Sequence, residues 1–317
     1  MSELAVQTVL ALNALSPLAP NLRALDQAKL SVDEYQQWEQ AQLAQLIPEF
    51  GGYWDLRGKQ VLDLGCGLGG KTIYYAQSGA RQVVGIDLRT NSLESARLLG
   101  EERTGKIGED QTGTQNSQFC LNDAARMPFA DNTFDAIVSI NVLEHVDDLY
   151  HTLRECQRVL QPGGVMLFHF PPFYSPWGAH LEGWINFPWP HVFFPDSVLL
   201  QAAHRVELAK RRNAHYIPTA QVDWGRLDHL PELNRVTAGE FFHLIEAVGL
   251  GVAYARMLPF GRHFLARRGA KAQQLLAWLE GVSQLPGLRE VMATKMVFVL
   301  TKHPGARVAP PEPPHSP

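Results

Sequence analysis

Cysteine is scarce. The 317-residue chain holds three, Cys66, Cys120 and Cys156, too few and too scattered for a disulfide framework or a cysteine-rich zinc centre. They read as small buried apolar residues. No apolar run approaches the length needed to span a bilayer. The opening stretch "MSELAVQTVLALNALSPLAP" carries Glu3 and no Lys or Arg before Arg23, the wrong charge order for a secretory leader, so a cytoplasmic location is expected. Positive charge is not in surplus either. A net charge of -4 gives no general attraction to phosphates, and the basic stretches "AKRRNAH" and "ARRGAKA" read as solvated helix faces. Nucleic acid is therefore not an expected partner. Nothing in the pattern fixes an oligomeric state.

What the chain does have is the composition of a folded globular protein, 45% hydrophobic and 19% charged, at a length suited to one main domain with sizeable additions. Between about residues 59 and 170, short β-branched runs alternate with helical stretches, the pattern of a parallel sheet with crossover helices. The predicted strands are "KQVLDLG", "RQVVGID", "SQFCLND", "FDAIVSI" and "GGVMLFHF". Predicted helices fall at "GKTIYYAQSG", "TNSLESARLLGEERTG" and "DDLYHTLRECQRVL", the last stopped by Pro162 and two glycines in "QPGG". The rhythm then breaks. Residues 171–236 are rich in proline, aromatics and histidine and read as an insertion, followed by a capped helix with Thr237 near its start and Gly249 past its end, a strand, more helix over about 262–290 and a last strand "KMVFVLTK". The expected division is a helical N-terminal extension (1–50), a core (51–170), the insertion (171–236), the end of the core with an added helix (237–303) and a disordered proline-rich tail (304–317).

The stretch "GCGLGGKT" at Gly65–Thr72 satisfies two patterns at once. As G-x-x-x-x-G-K-[ST] it is a phosphate loop, with Lys71 and Thr72 in the phosphate and magnesium positions; as Gly65, Gly67 and Gly70 it formally fits the dinucleotide turn. The surrounding acids argue for a nucleoside instead. Asp63 precedes the first glycine at the strand end, where a carboxylate suits a cationic or hydroxyl-bearing ligand better than a triphosphate. Asp87 ends the second strand, where a carboxylate accepts from ribose hydroxyls in doubly wound folds. Asp123 and Ala124 end the third, at the level of an adenine edge. Lys71 is expected to face solvent in the first helical turn, and Cys66 to serve packing.

With those residues in place, the ordered run "VLDLGCGLGG…GIDL…NDAARMPFADNTFDAIVSINVLEHVDD…RVLQPGG" resembles the class I S-adenosylmethionine-dependent methyltransferases, especially their small-molecule and quinone-type branch. The resemblance implies a Rossmann-like, doubly wound α/β sheet, mostly parallel with an antiparallel last strand, and S-adenosyl-L-methionine as cofactor. It also implies roles. Asp63, Gly65 and Gly67 would shape the turn under the methionine part, with Asp63 reaching its amino group. Asp87 would take the ribose hydroxyls and Leu88 would pack on the adenine. Asp123 would accept from the adenine amino group, the Ala124 N–H would meet a ring nitrogen, and Asn141 would offer its backbone near the methionine, with Glu144 and His145 behind it. The implied activity is in-line methyl transfer to a small, hydrophobic or aromatic acceptor. The alternatives are a cofactor-binding relative without transfer activity, an NAD(P)-dependent oxidoreductase and a phosphate-loop nucleotide triphosphatase.

The acceptor must be read from the insertion, which follows the fifth strand at the carboxyl edge where open α/β sheets bind ligands. Phe173, Tyr174, Trp177, Trp184, Phe187, Trp189, Phe193 and Phe194 would build an aromatic wall or lid. His180 and His191 are the candidate bases, with His169 next. No metal is expected, because a proline-broken loop offers no fixed ligand geometry and no HxxxH helix pair is present. "FPPFY" imitates the [DN]-P-P-[YF] motif of nucleobase and glutamine N-methyltransferases, but it follows the fifth strand and Phe170 replaces the polar residue.

Overall fold

The computed structural model of the chain describes residues 3–16, 31–88, 116–211, 233–266 and 268–305. The helix expected at "TNSLESARLLGEERTG", residues 212–232 of the insertion and residues 306–317 of the tail lie outside the described residues. In chain order the elements are α1 (Glu3–Leu15), α2 (Val32–Leu46), β1 (Gln60–Leu64), α3 (Gly70–Gln77), β2 (Gln82–Asp87), β3 (Ser117–Leu121), β4 (Phe134–Ile140), α4 (Leu149–Val159), β5 (Leu160–Phe170), α5 (Pro190–Phe193), α6 (Asp196–Arg211), α7 (Ala238–Val248), β6 (Gly251–Pro259), α8 (Arg262–Leu265), α9 (Ala270–Val282), α10 (Leu288–Met292) and β7 (Ala293–Thr301). Among the described residues, no helix is long and apolar enough to cross a membrane.

The seven strands form one sheet in the order β3-β2-β1-β4-β5-β7-β6. The pairs β1–β2, β1–β4, β2–β3 and β4–β5 are parallel and β5–β7 is antiparallel, as the resemblance implies. The strand order reverses between β1 and β4, which makes their carboxyl ends the switch point where such sheets bind ligands. β1, β2 and β4 are nearly continuous buried runs, the pattern of strands covered on both faces.

The chain divides into two compact units. The first comprises Val32–Phe170, Ala238–Arg256 and Met296–Pro317 and holds most of the sheet. In it, α4 shows how sequence sets structure. Asp148 caps the helix by accepting the His151 N–H at 3.0 Å, and Leu149, Leu153, Cys156 and Val159 form the buried stripe. The helix ends at Val159, and β5 already starts at Leu160. "QPGG" therefore lies inside β5, as an irregularity whose register shifts between the Phe134 and Ala136 pairings, instead of as a connecting turn. Proline and glycine at a strand's start are tolerated where the ladder is broken.

The second unit comprises Met1–Ser31, Pro171–Thr237 and Met257–Lys295. Its core joins Val6 and Val9 of α1 to Ala179, Leu181, Ile185 and the α6 residues Val198, Leu199 and Ala202. Arg205 clamps Glu3 at 2.6 and 2.7 Å, and Asn13 donates to the Trp184 carbonyl at 2.9 Å while accepting the Asn186 N–H at 2.6 Å. The helix α6 is missed by a reading of the insertion as proline-stiffened loop. "DSVLLQAAHRVELAKR" is free of proline and glycine over sixteen residues, and prolines flanking it dominate the local composition.

In the first unit, β2 and the glycine turn touch at Gly85. A Cβ added there would lie 2.8 Å from Cys66 Cβ and 2.9 Å from Thr72 Oγ1. Gly85→Ala is expected to cost about 1–3 kcal/mol by overpacking, measured by urea unfolding; a change below about 0.5 kcal/mol, the scatter of neutral surface substitutions, would contradict this close approach.

Candidate functional site

The site is built on the first unit, at the carboxyl ends of β1, β2, β3 and β4. After β1 the chain reverses over the β2 end: the N–H groups of Gly65 and Cys66 both donate to the Ile86 carbonyl, at 2.9 and 3.0 Å. The reversal uses left-handed backbone at Gly65, Gly67 and Gly69, with φ of +78°, +52° and +80°, which favours glycine. At Gly65 a side chain is also excluded by space, since an added Cβ would meet Val142 Cγ2 at 2.3 Å. Gly67 has nothing within 4 Å of that position, so its backbone is open to a ligand.

Three carboxylates end three strands, in three different environments. Asp87 accepts the Gly67 N–H at 2.9 Å and so ties the turn to β2. The next residue, Leu88, is 67% exposed, an apolar surface beside the carboxylate. At the end of β3 the Asn122 N–H donates to the Asp87 carbonyl at 3.0 Å, which sets the two strand ends side by side. Asp123 folds back on its own turn, accepting the Ala125 N–H at 2.9 Å. Asn141, after β4, is left-handed with φ of +56°, and its N–H donates to the His169 carbonyl at 2.8 Å. Asn141 leads directly to Val142, the residue packed over Gly65. Glu144 is buried, and His145 Nε2 lies 4.0 Å from its carboxylate.

Asp63 differs from the other two, because it is fully buried. Its Oδ2 accepts the Thr72 hydroxyl at 2.6 Å, and its Oδ1 has no hydrogen-bond partner. Burial pushes this carboxyl up to about 6, against the pull of Lys71 and Thr72. Burial likewise pushes the Cys66 thiol up, which makes it inert, as expected of a packing residue.

Lys71 does not face solvent. Its side chain is 12% exposed and its ammonium lies 2.7 Å from Glu39 Oε1. Burial alone would discharge it, but the Glu39 and Asp63 carboxylates overcome this and raise its pKa. The cover is α2, which crosses the first turn of α3. Gln36 donates to the Leu68 carbonyl at 2.6 Å and Gln40 to the Gly70 carbonyl at 3.2 Å. Glycine is needed at position 70, where an added Cβ would come within 2.7 Å of Glu39 Oε2 and 2.9 Å of the Gln36 Cα. The residues missed from sequence are thus Gln36, Glu39 and Thr72. The available clue was polar, with Gln36, Glu39, Gln40 and Leu43 sharing one face of α2 at helical spacing.

The two candidate bases belong to the second unit. His180 is left-handed, with φ of +52°, and its N–H donates to the Trp177 carbonyl at 3.0 Å. The His191 ring lies 4.9 Å from Phe173 and is stacked 6.4 Å from Tyr174. Burial holds its imidazole below the ordinary 6.5, against the Phe173 backbone. The aromatic wall separates into parts. Phe173, Trp184, Phe187 and Phe194 pack on the unit's own core, Trp177 and Trp189 flank Phe260, and Tyr174 and Phe193 are exposed. His169, the third candidate, lies on β5 of the first unit and is buried.

A glycine turn at the switch point of a doubly wound sheet, with carboxylates at three successive strand ends, defines a nucleoside-binding α/β domain. Residues 62–168 match the family model for a methyltransferase domain. Over 113 residues the chain is 39% identical to a ubiquinone biosynthesis O-methyltransferase of Actinobacillus pleuropneumoniae, covering 36% of this chain and 46% of that one. It is 38% identical over 108 residues to the methyltransferase GfsG of Streptomyces halstedii, covering 34% and 36%. It is also 32% identical over 130 residues to the norajmaline N-methyltransferase of Rauvolfia serpentina, covering 39% and 42%. The chain thus spans less than half the length of these relatives. Among solved structures, the [4+2]-cyclase SpnF has the same fold, with a TM-score of 0.50 at 19% identity over 95% of this chain and 93% of that one. Residues 62–168 are thus similar to the S-adenosylmethionine-dependent methyltransferases, and that likeness implies S-adenosyl-L-methionine as cofactor.

The residues present fit that cofactor: an open glycine backbone at Gly67, a buried carboxylate oxygen without a partner at Asp63, and an exposed apolar side chain beside Asp87. Gly65→Ala is expected to lower affinity for S-adenosylhomocysteine at least about tenfold, because strained left-handed backbone adds its cost of about 1–2 kcal/mol to the Val142 clash. Gly65→Ala with Val142→Ala should recover only part of the loss in calorimetry, and full recovery would show that the backbone conformation is unimportant.

Proposed function

We propose that the protein is an S-adenosylmethionine-dependent methyltransferase acting on a small hydrophobic or aromatic acceptor. The observation that carries this is the set of three carboxylates at the ends of β1, β2 and β3 around one glycine turn, an arrangement suited to a cationic nucleoside and unsuited to a polyphosphate. Asp87 would accept from the ribose hydroxyls, with Leu88 against the adenine face. Asp123 and the Ala124 N–H would meet the adenine edge. Gly65, Gly67 and Asn141 would present backbone to the methionine portion, and Asp63 a charge to its ammonium. When bound, the cofactor supplies a methyl group on a sulfonium whose thioether is a good leaving group.

Given that leaving group, the protein's own contribution is to align the acceptor with the methyl and exclude water. The aromatic side chains of the second unit support an apolar or planar acceptor. Relatives named for N-, O- and C-methylation share this segment, which supports a division of labour in which it holds the cofactor and the rest of the chain selects the acceptor. Where the acceptor must lose a proton, His191 is the favoured base, because burial keeps its imidazole neutral at pH 7; His180 is the second candidate. The rival reading, a cofactor-binding protein without transfer activity, is kept by the likeness in fold to a protein named as a cyclase.

Incubation with methyl-labelled cofactor and a fractionated cell extract should transfer label to an organic-extractable small molecule. Label found in no fraction, by a protein that binds S-adenosylhomocysteine, would favour the rival reading. With the acceptor identified, Asp87→Ala should raise the cofactor KM at least about tenfold while leaving kcat within a few-fold, the behaviour of a uniform binding contact. His191→Asn should lower kcat about 10²–10⁴-fold and abolish an acidic limb that falls below pH 6.5, the ordinary imidazole value. An unchanged pH profile would remove His191 from the chemistry.

A further inference from the structure

The lysine of "GCGLGGKT" has no place in either of the roles just described, yet it is buried and paired. Beneath the glycine turn lie two carboxylates, Asp63 and Glu39, and one cation, Lys71. Lys71 is 2.7 Å from Glu39 Oε1, while Asp63 is held by Thr72 at 2.6 Å. Asp63 Oδ1, Glu39 Oε2 and Gln36 Oε1 are all buried without a hydrogen-bond partner. Buried polar atoms are normally satisfied, and of these three the Asp63 oxygen, at the end of β1, is the one that an incoming ammonium would fill. The cluster has one positive charge for two acidic groups.

Resting on the reading of this site as the cofactor's, we propose that Lys71 is a positioning residue, which keeps Asp63 ionised under the sealed turn so that the cofactor's ammonium meets a carboxylate and not a neutral acid. Lys71 acts through charge and makes no contact with the cofactor in this account. Its own charge is secured by Glu39 on α2, so α2 is part of the binding apparatus.

The groups facing Asp63 set the sign. Burial raises it most; Lys71 opposes this, then the Thr72 hydroxyl, while Glu39 and Asp87 add to the rise. Cys66 and Tyr75 also face the cluster, and burial, helped by the Asp63 carboxylate, pushes both of their pKa values upward, which leaves them neutral. Tyr35, near Glu39 and Lys71, is raised by burial and also stays neutral. In the ligand-free protein Asp63 therefore takes up a proton below about pH 6, and binding an ammonium must expel it. By linkage, affinity is flat above that pH and falls up to about tenfold per unit below it.

The test is calorimetric titration with S-adenosylhomocysteine from pH 5 to 9 on the full chain. The expected result for Lys71→Met is a break shifted upward by about one unit or more, with affinity recovering towards wild type at the alkaline end. Lys71→Arg should return the break towards that of wild type. Glu39→Gln with Lys71→Met should fall between, because it removes a carboxylate that disfavours the Asp63 charge together with the lysine that favours it. A Lys71→Met protein with affinity lowered by one factor at every pH, or with the wild-type profile, would overturn the proposal. Should Lys71→Met fail to fold by circular dichroism, the paired variant, which does not leave Glu39 buried without its lysine, carries the test. The ionisation of Asp63 in ligand-free protein, followed by carboxyl carbon NMR and assigned with Asp63→Asn, separates the two ideas. Wild type that fails to bind S-adenosylhomocysteine would end the cofactor reading, whereas an Asp63 midpoint unmoved by Lys71→Met would end the role of Lys71.

Discussion

A carboxylate buried at the end of the first strand constrains most of what surrounds it. Asp63 cannot be sealed from water without a hydrogen bond and a nearby cation. The Thr72 hydroxyl supplies the first from the opening turn of α3, and Lys71, one residue earlier, supplies the second. A buried lysine needs its own partner, which brings Glu39 and with it α2 over the turn. Gly70 and Gly85 then follow from crowding, because a side chain at either would strike α2 or Thr72. The glycine-rich stretch therefore has two sides: open space at Gly67 and a charged cluster behind the turn. The same lysine that imitates a phosphate loop serves this cluster.

The second unit is organised by different physics. Its core is apolar, α1 against α6, and several aromatic side chains of the proline-rich segment are spent on that packing. The rings outside that core pack on one another instead: Trp177 and Trp189 flank Phe260, and the His191 ring lies beside Phe173 and Tyr174. An aromatic-rich insertion is thus part scaffold and part surface, and composition alone cannot separate the two.

Strand order, the parallel core and the antiparallel last strand were legible because buried parallel strands are written as short β-branched runs and the intervening glycines and acids have fixed places. Asp87, Leu88, Asp123 and Asn141 sit at strand ends where the motif order puts them. Lys71 is misread from sequence because its partner lies thirty-two positions earlier, on a helix whose buried face begins with the polar Gln36 and Glu39. Hydrophobic periodicity is the ordinary guide to a buried face, and a face that buries polar groups against loop carbonyls is invisible to it. The helix α6 was hidden for a related reason, since the prolines around it outweighed its own helical composition. "QPGG" reads as a helix stop because proline and glycine interrupt regular structure, whereas β5 already begins, irregularly, at Leu160.

The central claim is that the glycine turn and its three acids hold an adenosine-type cofactor bearing a cationic amino acid, and not a nucleotide triphosphate. Isothermal calorimetry of the wild-type chain at pH 7.5, with S-adenosylhomocysteine in one titration and magnesium ATP in another, addresses it directly. Saturable one-to-one binding of S-adenosylhomocysteine with no heat from ATP is the predicted result. Saturable ATP binding with none of S-adenosylhomocysteine would contradict it.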